Sequence, residues 1–248
     1  MDPYKFTTIA HHGRALLGPL SGASVDALLA RVELALPPGT RPAVLDVGCG
    51  KGEILMRAAR RFGATGTGVD PNPTFVADAR ARTRAAGVGA SFHMLPFESA
   101  PVPRGGFDLV ICTGAAHAFG DYARALAGCA LLVRPRGWAL VGHGYWRRPP
   151  APEYLASFGG SEDEMAPLED TLAAPAAHGW RVVAHHASTV EEWDDYELGY
   201  EAAVRTWLKA RPDDPDAAAF QERIDRWYAA YERWGRETMG FVTIVMRR

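Results

Sequence analysis

The run Val44-Leu45-Asp46-Val47-Gly48-Cys49-Gly50-Lys51-Gly52-Glu53 carries the strongest chemical signal in the chain. An apolar, strand-like stretch leads into a glycine turn and then into a helical stretch. Glycines permit positive φ and let a ligand approach the backbone closely. The helix start that follows points free N–H groups and a positive dipole end at that ligand. A dinucleotide-binding turn spaces its glycines G-x-G-x-x-G. Here the spacing is G-x-G-x-G, with Asp46 two residues ahead of it. A carboxylate is unfavourable beside a pyrophosphate and favourable beside a ligand ammonium. Asp70 lies twenty positions after Gly50, at the end of the next strand-like run. An acidic side chain at that place accepts hydrogen bonds from ribose hydroxyls.

Two histidines stand out from the eight in the chain. His117 and His143 follow the fourth and fifth strand-like runs, among Gly114, Gly120, Gly142 and Gly144. An imidazole with its ordinary pKa of about 6.5 suits proton removal near neutrality. Each is therefore read either as a general base at an acceptor site or as a neutral group that orients a pocket. His11 and His12 belong to the N-terminal arm. His93, His178, His185 and His186 read as structural or surface residues. No carboxylate or cysteine stands at ligand spacing to complete a metal site around His117 and His143, and no metal is predicted.

The elements that must position these residues alternate. Ala43–Val47, Ala64–Val69, Val88–Met94, Phe107–Cys112 and Gly137–Gly142 read as strands. Glu53–Phe62, Thr74–Ala86 and Asp121–Val133 read as helices between them, the last capped by Asp121. Such an order argues for a parallel sheet covered by helices on both faces. Residues 151–178 are polar with short helices around Leu155 and Leu168, and Trp180–His186 is a further strand. Glu191–Ala210 and Asp216–Glu237 read as two long amphipathic helices rich in Trp and Tyr. Phe241–Met246 closes the chain as a strand expected to run antiparallel. Proline joints at Pro37-Pro38, at 149–152 and at 212–215 punctuate one domain rather than divide it. That domain reads as an N-terminal helical arm over 1–36, a binding core over 40–146, helical insertions over 151–178 and 191–237, and a last strand over 239–248.

Composition narrows the partners. The 248 residues carry 27 basic and 29 acidic side chains, a net charge of −2, which argues against a nucleic-acid partner. No apolar run reaches the ~20 residues that span a bilayer, and the start MDPYKFTTIAHHGR holds no signal-length apolar run. Cys49, Cys112 and Cys129 are too scattered for a disulfide framework. A cytoplasmic chain with reduced thiols, no membrane and no nucleic acid is expected; the composition leaves oligomeric state open.

The glycine turn, Asp46, Asp70 and the strand order together resemble the class I, Rossmann-like S-adenosylmethionine-dependent methyltransferases over residues 40–145. The stretches 114–120, 142–149, 193–196 and 234–240 resemble a bacterial small-molecule subfamily of that class. The resemblance implies an α/β, doubly wound, seven-stranded and mostly parallel sheet, with an antiparallel last strand and the C-terminal helices as a lid. It implies S-adenosyl-L-methionine as methyl donor and S-adenosyl-L-homocysteine as product. It implies a donor site made by Asp46, Gly48, Cys49, Gly50, Gly52, Asp70, Pro71, Met94, Leu95, Thr113 and Gly114. Acceptor walls are expected from His11, His12, Tyr145, Trp146 and Trp193, with His117 and His143 at the reacting end. The activity implied is N- or O-methylation of a small molecule. The competing reading is a protein of the same fold in which the donor has a non-methylating or regulatory role. His143 stands where the subfamily tends to carry glutamate, and His93-Met94-Leu95-Pro96-Phe97-Glu98 lacks the acidic residue that commonly meets the adenine amino group.

Overall fold

The structure is a computed structural model that describes residues 2–34 and 39–248; the Pro37-Pro38 joint lies outside the described residues. In chain order the elements are α1 (Lys5–Ala10), α2 (Gly22–Leu29), β1 (Ala43–Val47), α3 (Glu53–Phe62), β2 (Thr65–Val69), α4 (Pro73–Ala85), β3 (Ala90–His93) and β4 (Phe107–Thr113). They continue as α5 (Tyr122–Leu132), β5 (Val133–Trp146), α6 (Pro152–Phe158), α7 (Leu168–Ala173), β6 (Arg181–Ala187), α8 (Val190–Ala210), α9 (Ala217–Ala230), α10 (Arg236–Thr238) and β7 (Met239–Arg247).

The strands form one seven-stranded sheet in the order β3-β2-β1-β4-β5-β7-β6. Pairs among β1 to β5 are parallel, and β7 runs antiparallel to both β5 and β6. The order reverses between β1 and β4, so a crevice opens beyond the carboxyl ends of those two strands. Strand residues alternate between two apolar layers. Val44, Leu109, Ile111 and Leu140 pack with Val25 and Leu29 of α2, Leu55 of α3 and Val76 of α4. Leu45, Val110, Ala139, Val141 and Ile244 pack on the other face with Leu126 and Cys129 of α5.

Helix ends follow local chemistry. Asn72 caps α4 by accepting from the Thr74 and Phe75 N–H groups, with Pro73 at the first helical position. Asp121 caps α5 by accepting from the Arg124 N–H, as expected. Thr189 and Glu192 form a reciprocal capping box at the start of α8.

Among the boundaries that differ from the sequence reading are those of the third and fifth strands. The third strand is shorter and begins at Ala90. The fifth strand, expected to end at Gly142, runs on to Trp146, because β7 pairs with it continuously from Trp138 opposite Arg247 to Trp146 opposite Met239. His143, Tyr145 and Trp146 therefore lie within a strand, where a turn was expected.

Ile244 is fully buried on the middle of β7, between β5 and β6. Ile244→Ala should lower unfolding free energy by roughly 2–5 kcal/mol, the usual cost of an aliphatic core truncation. Urea unfolding measures it, and a loss below about 0.5 kcal/mol, the range of surface changes, would contradict this placement of β7.

Candidate functional site

The turn after β1 is held by the end of β2. The Gly48 and Cys49 N–H groups donate to the Val69 carbonyl at 2.8 and 3.1 Å. The Gly50 N–H donates to Oδ2 of Asp70 at 2.9 Å, and the Asn72 N–H donates to its Oδ1 at 2.9 Å. Gly48 and Gly50 lie in the left-handed region at φ +69° and +50°. A Cβ on Gly48 would stand 2.3 Å from the Cβ of Ala115, and one on Gly50 would stand 2.5 Å from Cδ1 of Leu17. A side chain at either place would be strained and would fill the crevice.

That turn forms one end of a cavity of about 290 Å³. Asp46, Gly48, Cys49 and Gly50 line it, with Glu53 and Ile54 at the start of α3 and Thr113 and Gly114 at the end of β4. Residues 15–20 of the N-terminal arm close one side. The far end is aromatic. Tyr154 and Phe158 of α6, Trp193 and Tyr196 of α8, Trp227 of α9, Tyr231 of the turn after α9, and Phe241 of β7 line it. Three carboxylic side chains face the cavity, Asp46, Glu53 and Glu197, and no Lys, Arg or His lines it among the described residues.

The acids differ in their surroundings. Glu53 is paired with Arg57 at 2.7 Å and with Arg82. Asp46 has no cationic partner among the described residues. Burial pushes its carboxyl well above the usual range and the Asp70 charge adds to this, while the Leu55 N–H in the first turn of α3 opposes it. Burial also raises Asp70, against the hydrogen bonds from Asn72 and Gly50 and the nearby His117. Glu197 is 3% exposed. Burial pushes it up to about 7, opposed by the hydrogen bond that Nε1 of Trp227 donates to its Oε2 at 2.7 Å.

The expected site residues separate into three groups. Asp46, Gly48, Cys49, Gly50, Thr113, Gly114 and Trp193 line the cavity. Asp70, Pro71 and Gly52 lie around the glycine turn, with Met94 and Leu95 beyond β3 and Met94 52% exposed. Histidines and the β5 aromatics stand elsewhere. His117 is exposed on the short 3-10 turn Ala116–Phe119. His143 is not in the turn expected for it. It shares the sheet face of Val141 and Tyr145, away from the cavity, and stacks on Tyr122 of α5 with ring centroids 4.4 Å apart. Burial lowers its pKa, against a hydrogen bond with the Glu164 backbone. Strand parity is the reason: the face of Leu140 and Gly142 looks toward Phe241 and the cavity, and His143 has the opposite parity.

Tyr145 belongs to the same α5-side layer. Trp146 backs the cavity from behind Tyr154, with centroids 6.4 Å apart, and its Nε1 donates to the Glu162 carbonyl. His12 is exposed. His11 is buried behind Tyr196: its Nδ1 donates to the Thr7 carbonyl at 2.8 Å and its Nε2 accepts from the Tyr196 hydroxyl at 3.2 Å. Burial lowers its pKa. The arm does close the cavity, but through residues 15–20.

Glu197 is the site residue that sequence reasoning passed over. It is one acid among several in Glu191-Glu192-Trp193-Asp194-Asp195-Tyr196-Glu197. Its spacing of four from Trp193 puts both on one face of α8, next to Tyr196 and Tyr200. Acidic side chains on an otherwise aromatic face are the available signal.

Comparison with known proteins places these features. A family profile described as a methyltransferase domain matches residues 44–137. The chain is 34% identical over 244 residues to the uncharacterized protein YjhP of Escherichia coli, covering 97% of each. The crystal structure of YjhP superposes with a TM-score of 0.87 over 99% of this chain and 100% of that one. An S-adenosylmethionine-dependent methyltransferase from Geobacter sulfurreducens, crystallised with S-adenosyl-L-homocysteine, is 28% identical with a TM-score of 0.88 over 98% of both chains. One from Thiobacillus denitrificans, crystallised with the same compound, is 26% identical with a TM-score of 0.89 over the whole of both.

Keeping Glu197 buried lowers stability at neutral pH. Between its unfolded value of 4.5 and its folded value of about 7, the folded chain holds a proton that the unfolded chain has lost. Stability therefore falls as pH rises through that window, and the penalty is complete above it. Glu197→Gln should match the parent near pH 4 and exceed it by roughly 2–4 kcal/mol near pH 8. Chemical unfolding at the two pH values measures the difference, and equal stability near pH 8 would contradict the burial of this carboxyl.

Proposed function

Because the chain belongs to the class I, Rossmann-like S-adenosylmethionine-dependent methyltransferases, we propose that it transfers a methyl group to nitrogen or oxygen of a small-molecule acceptor held in the aromatic end of its cavity. One observation carries the reading. One continuous cavity runs from the glycine turn, where the donor belongs, to a chamber walled by α6, α8, α9 and β7. A cavity of about 290 Å³ that also takes the donor's reactive end favours a small acceptor.

The donor fits the residues present. Gly48 and Gly50 leave a cradle that a Cβ would fill. Asp46 is a buried carboxyl without a protein cation, which suits the donor's ammonium. Asp70 uses one lone pair on each oxygen for backbone N–H groups and keeps others for ribose hydroxyls. Pro71, Met94 and Leu95 would flank the adenine, and Thr113 and Gly114 would back the sulfur. When bound, the donor supplies its methyl as an electrophile, the carbon–sulfur bond breaking with its electron pair left on sulfur.

The protein's part is placement and exclusion of water. Holding two reactants in line is worth effective molarities of ~10⁵–10⁸ M. The arm and the helical roof cover much of the site, and where water is excluded the fields of the carboxyls inside it are strengthened. His117 and His143, expected as bases, stand off the cavity wall, so placement is the larger part of this reading. No helix among the described residues is long and apolar enough to cross a membrane. Three buried, unpaired cysteines fit a reducing, cytoplasmic compartment.

Asp70→Ala should weaken S-adenosyl-L-homocysteine binding by about tenfold to over a hundredfold, the loss of charge-assisted bonds worth roughly 1.5–3 kcal/mol. Calorimetry with wild-type affinity in that variant would remove the ribose assignment. The parent, given methyl-labelled donor and a small-molecule extract, should label a compound of low mass. Donor binding without label in any such fraction would favour the regulatory reading.

A further inference from the structure

We infer that the acceptor is a small primary or secondary amine that enters as an ammonium ion, and that Glu197 binds this cation and takes its proton. This inference rests on the methyl-transfer reading and narrows its acceptor to nitrogen.

Charge carries the first part of the argument. Glu53 is neutralised by Arg57 and Arg82, but Asp46 and Glu197 are buried with no cation beside them among the described residues. Uncompensated buried carboxyls are unfavourable unless a ligand supplies the opposite charge. Asp46 lies beside the glycine turn, where the donor accounts for it. Glu197 lies at the aromatic end, which the donor does not explain. With no Lys, Arg or His on the cavity wall, a carboxylate or phosphate acceptor would meet two anions and no counter-charge.

The aromatic rings supply the second part. Trp193, Tyr196, Trp227, Tyr154 and Tyr231 surround the chamber, and a cation packed on such faces is held by their quadrupoles, most strongly when water is excluded. The groups facing Glu197 are Tyr196 and Tyr200 of its own helix, Trp227 of α9, Tyr154 of α6 and Tyr231, all neutral at working pH. Trp227 holds one carboxyl oxygen, Oε2, and no other donor among the described residues holds Oε1.

Proton removal follows from the same placement. An ammonium nitrogen has no lone pair to attack with. The donor's positive sulfur close by disfavours the ammonium form. The proton passes from nitrogen to the Glu197 carboxylate, the freed lone pair forms the bond to the methyl carbon, and Glu197 releases its proton to solvent as product leaves. A primary ammonium ion and the donor thus give a methylammonium ion, the demethylated donor and one proton.

The test uses the whole chain saturated with S-adenosyl-L-homocysteine and three probes of one shape: benzylamine, benzyl alcohol and benzoate. Calorimetry near pH 8 should show benzylamine binding at least tenfold tighter than benzyl alcohol, with benzoate weakest. The preference should shrink as pH falls below about 7, where Glu197 takes up a proton. Glu197→Gln should bind the alcohol as before and lose the preference for the amine. Should that variant not fold, Trp227→Phe serves. Without the hydrogen bond that lowers the Glu197 pKa, the rise of the preference should move to higher pH, whereas a merely structural Trp227 would weaken amine and alcohol alike. Alcohol or benzoate binding as tightly as the amine near pH 8 would overturn the inference and leave methyl transfer standing. Failure of S-adenosyl-L-homocysteine itself to bind would remove the methyl-transfer reading and this inference with it.

Discussion

A carboxyl buried without a cation beside it costs free energy, and this fold arranges two of them along one cavity. Asp46 and Glu197 are 2% and 3% exposed, and burial raises the pKa of both. Elsewhere the chain neutralises its partly buried acids. Glu53 takes two arginines, Asp108 takes Arg134, and Asp194 takes Arg236. Glu192 shows the contrast on the same helix as Glu197. Against the upward push of burial, hydrogen bonds from Ser24, His186, Ser21 and Thr189 hold it down at about 2. Asp46 and Glu197, together with Asp70 beside the glycine turn, depart from that pattern, and all three lie at or next to the cavity. Departures of that kind concentrate where ligands bind.

Both acids depend on segments distant in sequence being fastened together. Asp46 is placed by β1, and its turn is pinned to β2 through the Val69 carbonyl and Asp70. Glu197 is placed by α8, which hangs between β6 and β7. The arm ties the two halves. Phe6 packs on Tyr200 and Phe220, and Lys5 bonds Asp214 and Asp216 at 2.5 and 2.7 Å in the connection between α8 and α9. The Lys51 ammonium donates to the His11 carbonyl at 2.8 Å, joining the arm to the glycine turn itself. Glu192 accepts from Ser21 and Ser24 at the start of α2. Donor turn, arm and roof are therefore one connected body, so the cavity is enclosed by the same contacts that order the roof.

Local signals made the donor half legible in the sequence. A strand, a glycine turn, a helix and an acid twenty residues on are all short-range, and each has a backbone reason. The parallel sheet followed from alternation, and the antiparallel end from a strand placed after two helices. The acceptor half was less legible, because it is made by packing. Gly142 and Gly144 read as the end of a strand, yet they lie inside β5, where the long antiparallel partner overrides their weak strand preference. That one boundary put His143 and Tyr145 in a turn beside the crevice, and the strand's parity turns both to the α5 face. Glu197, by contrast, looked like part of a solvated acidic face. Only the docking of α9 and α6 against it makes it a buried group.

The roof also explains how a common donor fold acquires its own acceptor. α9 ends in a wider, π-helical turn over Tyr231–Gly235 before the chain reaches β7. Such turns insert one residue into a helix and re-aim the side chains that follow, and they recur at functional sites. Here the widening puts Tyr231 and Gly235 on the cavity wall, and Gly235 gives Tyr154 its place: a Cβ on Gly235 would stand 2.9 Å from the Tyr154 hydroxyl. The Tyr231 hydroxyl donates to Asp194 at 2.7 Å, and Arg236 holds the same carboxylate from the next turn. That carboxylate is compensated, so Tyr231 contributes a fixed ring rather than another charge. The aromatic end of the cavity accordingly carries one uncompensated carboxyl, Glu197. On the inference that Glu197 binds the acceptor, a change of acceptor charge would need a change at that residue, while a change of acceptor shape would need only the rings of α6, α8 and the π-helical turn to differ.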